Sequence, residues 1–241
     1  MHRIAVVTAF WQRPGVSVLY WRGLDRLRKQ KLVELLPIAV ISPEDDANHT
    51  LALAHGAAGI VEAPNHPLAA KWQAGLDCAS GFKPQHVMIL GSDNLLSDGM
   101  FRGLVTAMKA GIVHGGISDM YVWDLPRAKA AYWPGYSEGS PREGHSIGAG
   151  RFYDAGVLAS MAWELWPRDS TFTSGMDGLA HQRLSSLGIA TFTQPMKDWG
   201  GSIVDIKSST NLWKFWRFNK HPIDPWTLFS EFPELKMLRL T

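Results

Sequence analysis

The sequence predicts an α/β protein: a mixed, mostly parallel sheet covered by helices on both faces, in a single domain. Three observations carry this. Strand-like and helix-like segments alternate four times over the first ~110 residues, the pattern of successive βαβ units. The run Val87-Met88-Ile89-Leu90 is apolar without alternation, as in a strand buried on both faces. Apolar residues make up 46% of the 241 positions, enough for one large core, while charged residues are only 19%.

Taken in order, residues 3–8 read as the first strand, with Thr8 to Gly15 as its exit loop. Val16, Tyr20, Leu24 and Leu27 follow at helical spacing, and Pro14 suits the opening of that helix. Leu36 to Ile41 is the second strand, ending at Ser42-Pro43-Glu44-Asp45-Asp46. A short helix through Leu51–His55 leads to a third strand at Gly59–Glu62. A helix opening at Pro64-Asn65-His66-Pro67 carries Leu68, Trp72 and Leu76 inward. Strand four runs from His86 into Gly91-Ser92-Asp93-Asn94. Ser97 is the expected cap of the next helix, whose apolar set is Phe101, Leu104, Val105 and Met108.

Beyond this point the pattern loosens. Ile112–Asp124 and Ala128–Trp133 read as strands suited to antiparallel pairing. Pro134 to His145 holds three glycines, two prolines and two serines and reads as a mobile loop, of the length used for lids or acceptor loops. Ser146–Phe152 is predicted as a strand. Helices carrying Leu158, Met161, Ala162 and Leu165, then Met176, Ala180, Leu184 and Leu187, precede a strand at Ile189–Gln194. The tail from Trp199 is aromatic and basic.

Composition excludes several classes. A formal net charge of +2 singles out no partner. The single Cys78 excludes an intramolecular disulfide framework and a thiolate zinc cluster, and agrees with a reducing compartment. The apolar run after Met1 is too short for a signal peptide, and no stretch approaches the roughly 18 apolar residues that span a bilayer. A soluble, cytoplasmic protein with no membrane contact is expected. Eleven tryptophans exceed what a core of this size needs and suit stacking on sugars or bases. No His-Glu-x-x-His zinc pattern, phosphate-cradling Walker loop or Gly-x-Ser-x-Gly elbow is present, and Gly148-Ala149-Gly150 is too short for a dinucleotide fingerprint.

Ser92, Asp93 and Asn94 sit where strand four ends, and open α/β sheets bind ligands at the carboxyl ends of their strands. With the four-step start and the later Gly175-Met176-Asp177-Gly178 before a helix, this order resembles a GT-A glycosyltransferase over roughly residues 3–210. The resemblance implies a nucleotide-binding half at 1–110, an acceptor half at 111–206 and an aromatic, basic tail at 207–241. It extends to the phage enzymes that glycosylate hydroxymethylated pyrimidines in DNA.

The family carries an Asp-x-Asp motif at this place, holding Mn2+ or Mg2+ bound to the sugar nucleotide. Asp93 matches the last acid and is the implied metal ligand, with Ser92 and Asn94 beside the nucleotide sugar. Gly91 stands where the first acid belongs, which puts the stringency of metal dependence in doubt. A hard cation takes one or two carboxylates plus substrate phosphates, so a single acid still suits the chemistry. The resemblance also places Thr8, Phe10 and Arg13 at the base and diphosphate, Lys207 on a phosphate and Asp205 as a further metal ligand.

Asp177 falls where inverting members keep the base that takes the acceptor proton, although Ser174-Gly175-Met176-Asp177 also fits a capping box. His145, Arg151 and Trp199 are candidate acceptor contacts. Lys214, Trp216 and Arg217 interleave charge with rings, which suits a nucleic-acid strand, a polysaccharide or a tail docked on its own core. The expected activity is transfer of a hexose from a UDP-sugar to a hydroxyl, with DNA as the favoured acceptor. The alternatives are a polysaccharide or lipopolysaccharide acceptor, a sugar nucleotidyltransferase, or an inactive nucleotide-sugar-binding module.

Overall fold

The apolar strand runs and the amphipathic helices between them assemble as layers. The computed structural model describes residues 1–209, 211, 214–218 and 220–239. Strands β1 (Arg3–Phe10), β2 (Glu34–Ile41), β3 (Gly59–Glu62) and β4 (His86–Ile89) alternate with helices α1 (Pro14–Lys29), α2 (Asp46–Ala54) and α3 (Leu68–Gly81). Next come β5 (Asn94–Leu96), α4 (Asp98–Lys109), β6 (His114–Ile117), β7 (Met120–Asp124) and β8 (Lys129–Trp133). The chain continues through β9 (Arg151–Asp154), α5 (Ala155–Ser160), α6 (Met176–Ser186), β10 (Phe192–Gln194), β11 (Ile203–Lys207) and β12 (His221–Ile223).

A seven-stranded sheet has the order β10-β6-β9-β4-β1-β2-β3, and β9 runs antiparallel to both its neighbours. The other pairs in it are parallel. A five-stranded sheet, β12-β8-β7-β11-β5, stands beside it. The unbroken apolar runs have a direct cause. Ile4, Val6 and Met88 pack on one face with Tyr20, Trp21, Leu24 and Leu27 of α1. Ala5, Val7, Val87 and Ile89 pack on the other with Ala69, Leu76 and Ala79 of α3. A strand covered on both faces has no side to leave polar. A third cluster joins Leu95, Val204 and Ile206 of the smaller sheet to Leu228, Phe229, Phe232 and Leu235, so the end of the described chain docks on the core.

Four sequence expectations change. The predicted strand 112–124 is two strands, β6 and β7, lying in different sheets. Asp119 sits at the break and holds it: its carboxylate accepts from Tyr132 Oη at 2.7 Å and from the Met196 amide at 2.6 Å. The predicted strand 146–152 begins only at Arg151. The helix expected to reach Leu165 stops at Ser160, because Ala162 and Trp163 turn left-handed with φ of 53° and 61°. Strand β5 was unforeseen; it is three residues long and pairs antiparallel with β11. The antiparallel pairing of β7 with β8 and the Ser97 cap, whose Oγ accepts from the Met100 amide, both form as expected.

Helix α3 crosses the sheet closely enough to require glycine at position 75. A Cβ there would lie 2.5 Å from Val7 Cγ1 and 2.6 Å from Val40 Cγ2. Gly75→Ala should therefore destabilise the protein in urea unfolding by about 1–3 kcal/mol from overpacking, despite the helix propensity that alanine adds.

Candidate functional site

The C-terminal end of β4 is a tight turn rather than a continuing strand. The Asn94 amide donates to Gly91 O at 2.9 Å, and Asn94 Oδ1 accepts from the Gly91 amide at 3.0 Å. A Cβ on Gly91 would come within 2.7 Å of both Asp93 Oδ1 and Asn94 Oδ1. A side chain at 91 would therefore force the Asp93 and Asn94 side chains to move from the positions they hold in this turn. Asp93 is aimed out of the turn and held from three sides. Its carbonyl accepts from the Ile206 amide at 2.7 Å, and its Oδ2 accepts from Arg13 Nη1 at 3.1 Å and Asn211 Nδ2 at 2.7 Å. Arg13 Nη2 also reaches Ser92 Oγ at 3.3 Å.

Because β5 pairs with β11, Asp205 lies opposite Asn94 and beside Asp93. Lys207 Nζ donates to Asp205 Oδ2 at 2.7 Å and sits 5.1 Å from the centre of the Phe218 ring. The two acids divide the charge unequally. Burial pushes the Asp93 carboxyl up, but Arg13 and Lys207 together bring it below its usual range. Burial raises Asp205 to about 6; Lys207 opposes this and Asp93 adds to it. Asp205 Oδ1 is buried with no hydrogen-bond partner among the described residues.

Arg13 reaches this centre from a strained loop. Gln12 and Arg13 are both left-handed, with φ of 54° and 56°. Such a conformation costs a side-chain-bearing residue about 1–2 kcal/mol, so surrounding bonds must impose it. Asp45 Oδ2 accepts from the Gln12 amide at 2.5 Å and Asn48 Nδ2 donates to Gln12 O at 2.8 Å. Beneath them Lys71, 1% exposed, donates to Phe10 O at 2.5 Å, Ser42 Oγ at 2.8 Å and Asn65 Oδ1 at 3.3 Å. Burial lowers the Lys71 ammonium to about 8, against the pull of Asp45 and Glu44. Asp45 is thereby spent on positioning the loop.

A pocket of about 260 Å³ opens in front of the acid pair. Its walls include Asp93, Asn94, Asp205 and Lys207 on one side and Trp72, Trp133, Tyr136 and Trp166 around it. Asp177 also lines this pocket. The capping box does not form, since α6 is capped by Gly175 at φ 78° with no side-chain hydrogen bond. Asp177 instead faces Arg151 Nη2 at 3.7 Å, and a Cβ at Gly148 would strike its Oδ1 at 2.6 Å. Arg151 is 3% exposed and donates to Ser146 O, so it steadies Asp177 from below. Arg142 Nη1 donates to Tyr136 Oη at 3.1 Å, drawing the loop after β8 into the wall.

The remaining expected residues lie elsewhere. Thr8 is buried and its Oγ1 pairs with Tyr20 Oη at 2.6 Å. The Phe10 ring is 1% exposed and stacked on Trp21, which leaves Trp11 as the less buried aromatic of that loop. Trp199 is core, edge-on to Phe152 and Phe192. His145 stacks on His181 with ring centres 3.6 Å apart, and burial, with His181 and Arg151 nearby, lowers its pKa. Lys214 and Trp216 border a separate groove, and Arg217 ends the 3-10 turn Phe215–Arg217 that stands there in place of a longer helix; Trp213 lies outside the described residues. Sequence reasoning missed Asn211, Lys71, Arg142 and Tyr136. Only Asn211 left a local signal, the polar turn after the last strand, where its Oδ1 accepts from the Ser208 amide.

No protein-family model and no curated protein matches the sequence. Solved structures do. The catalytic domain of Drosophila β1,4-galactosyltransferase 7 with xylobiose matches with a TM-score of 0.56 and 11% identity, over 99% of this chain and 80% of that one. A point mutant of the same Drosophila enzyme, crystallised with manganese, UDP-Gal and xylobiose, matches at 0.52 and 10% identity, over 80% and 65%. A 4-diphosphocytidyl-2C-methyl-D-erythritol synthase matches at 0.53 and 14% identity, over 83% and 91%. The fold is therefore that of GT-A glycosyltransferases, a mixed and mostly parallel α/β layer structure that a nucleotidyltransferase shares. Among the described residues, no helix is long and apolar enough to cross a membrane.

Two outcomes follow from this geometry. Gly91→Asp, which restores the two-acid motif in letters, should weaken binding of UDP in calorimetry rather than strengthen it, because the new side chain displaces Asp93. Lys71→Met leaves two buried acceptors, Phe10 O and Ser42 Oγ, and the half-buried Asn65 Oδ1 without their donor and should cost roughly 3 kcal/mol in urea unfolding.

Proposed function

We propose that this protein transfers a sugar, a hexose, from a UDP-sugar to a hydroxyl acceptor. The observation that carries the reading is the pairing of Asp93 with Arg13 and of Asp205 with Lys207, with Asp93, Asp205, Lys207 and Asp177 lining one pocket of a GT-A fold. Lys207, which lines the pocket, and Arg13, bonded to the pocket's Asp93 and to Ser92, would steady the diphosphate, each held by a carboxylate. Ser92 and Asn94 border the same turn and would contact the nucleotide sugar. Thr8 and Phe10 support the nucleotide loop from beneath rather than through exposed side chains.

The donor set suits a hard divalent cation. Asp205 Oδ1 lacks any partner among the described residues, and Asp93 commits only Oδ2 to Arg13 and Asn211. These residues include no group of three or more His, Cys, Asp or Glu side chains that could hold a metal, so donor phosphates would complete the shell. When bound, Mn2+ or Mg2+ neutralises charge on the departing diphosphate. In the same pocket Asp177 accepts the acceptor's hydroxyl proton as that oxygen bonds to the anomeric carbon and the bond to diphosphate breaks. Arg151 orients Asp177, His145 lies outside the pocket but close enough to feel the charge of Asp177, and the aromatic rim of Trp133 and Tyr136 keeps water out.

The acceptor in this reading is a hydroxymethylated pyrimidine in DNA, for which the basic and aromatic segment carrying Lys214, Trp216 and Arg217 is the support. A polysaccharide acceptor would use the same aromatic walls. The nucleotidyltransferase reading draws on the shared fold, but the loop from Thr8 to Gly15 has only one glycine with which to cradle a triphosphate.

A panel of UDP-sugars with manganese, with and without hydroxymethylated DNA, tests this by release of UDP. Asp93→Ala should lower turnover about 10²-fold or more. Asp177→Asn should lower it by ~10²-fold or more with UDP binding retained. Pyrophosphate release from a nucleoside triphosphate and a sugar phosphate would move the assignment to nucleotidyl transfer. UDP binding with no release under any condition would leave a binding module.

A further inference from the structure

Beside the candidate active site the structure holds a second concavity, of about 600 Å³. It is formed where the turn between β7 and β8 meets the segment after β11, an encounter that no local pattern announces. Arg127 and Lys129 come from the turn, and Lys214 and Trp216 from the segment. The acid in this wall, Asp124, is 3% exposed and already accepts from Arg127 Nη1 at 3.0 Å. Lys129 and Lys214 are exposed, and Lys207 borders both this groove and the pocket that contains Asp93 and Asp177.

We infer that this groove is a track for single-stranded nucleic acid, leading from the reaction pocket past Lys207 along Arg127, Lys129 and Lys214. The inference rests on the acceptor reading above and names where the acceptor's backbone lies. Three features select this occupant. The cations outnumber the one acid, which is internally neutralised, so the groove attracts anions along its length. Trp216 is 71% exposed, and the Arg217 guanidinium lies 5.2 Å from the centre of its ring. A ring presented to solvent among cations is a stacking platform for a base, which every nucleotide supplies and an acidic peptide does not. A lipid surface would need a broader apolar face than a single tryptophan at the rim. The concavity also suits a flexible strand better than a rigid duplex, whose grooves are read by protruding elements.

The test is fluorescence anisotropy of a labelled single-stranded oligothymidylate with the full chain at several salt concentrations. UDP binding is measured by calorimetry on the same preparations. Wild type should bind the oligonucleotide with an affinity that falls steeply with salt. Lys129→Glu combined with Lys214→Glu should weaken binding roughly tenfold or more and flatten the salt dependence, with UDP affinity unchanged. Trp216→Ala should weaken it roughly fivefold or more while leaving the salt slope intact. No oligonucleotide binding by a protein that binds UDP overturns the inference, as does binding indifferent to all three substitutions. Vesicles containing phosphatidylglycerol that bind as tightly, with the same dependence on Lys129 and Lys214, also overturn it and make the groove a lipid contact. Oligonucleotide binding without UDP binding supports the groove and instead overturns the donor reading.

Discussion

Asp93 is the point at which the two sheets, the first loop and the tail are tied together. Its main chain accepts from β11, and its side chain receives Arg13 from the loop after β1 and Asn211 from the segment after β11. Each bond crosses between segments far apart in sequence, so the carboxylate cannot be placed before the fold closes. The charge inside is nearly balanced by two cations against two acids. That balance lets acids persist in a partly desolvated place, because each buried charge has a partner at hydrogen-bond distance.

The balance also shapes what the site can bind. Lys207 and Arg13 hold Asp93 ionised while Asp205 is drawn toward its neutral form. Two neighbouring acids that ionise unequally are poised for another cation, whose arrival would favour the charged state of both. The left-handed loop at Gln12 and Arg13 is the mechanical counterpart of this arrangement. Lys71, Asp45 and Asn48 hold a backbone conformation that would otherwise relax, and the guanidinium reaches Asp93 as a result.

The second sheet closes the first into a pocket. Strand β5 and strand β11 bring Asp205 and Lys207 against the end of β4, and β8 supplies Trp133 to the same pocket. Asp177 arrives on α6, whose left-handed Gly175 start leaves the side chain free of a capping role. Gly148 then gives it room. Gly91 and Gly148 share a device: each leaves room for a neighbouring carboxylate, Asp93 at one and Asp177 at the other.

Local pattern was sufficient for the first half of the chain. β1 to β4 and their helices follow from apolar runs covered on both faces and from 3.6-residue spacing, properties that each segment carries within itself. The same reasoning found Asp93, because a lone acid at the end of a buried strand lies where such sheets bind ligands. Arg13, Asp177, Asp205 and Lys207 were expected beside it from the resemblance, and the structure brings Asp177, Asp205 and Lys207 to the same pocket and Arg13 onto Asp93. Local pattern failed where partners are distant in sequence. The break at Ser118-Asp119 depends on Tyr132 and Met196, and the Phe10 ring turned inward because Trp21 was there to stack on it. Lys71 looked like any helix lysine until β1, β2 and the loop before α3 closed around its ammonium. The sequence alone determined which segments are strands and helices and which acids end them, since periodicity and burial preference are local. Tertiary structure decided which acids meet which cations, because that depends on how two sheets join, and no single segment encodes the joint.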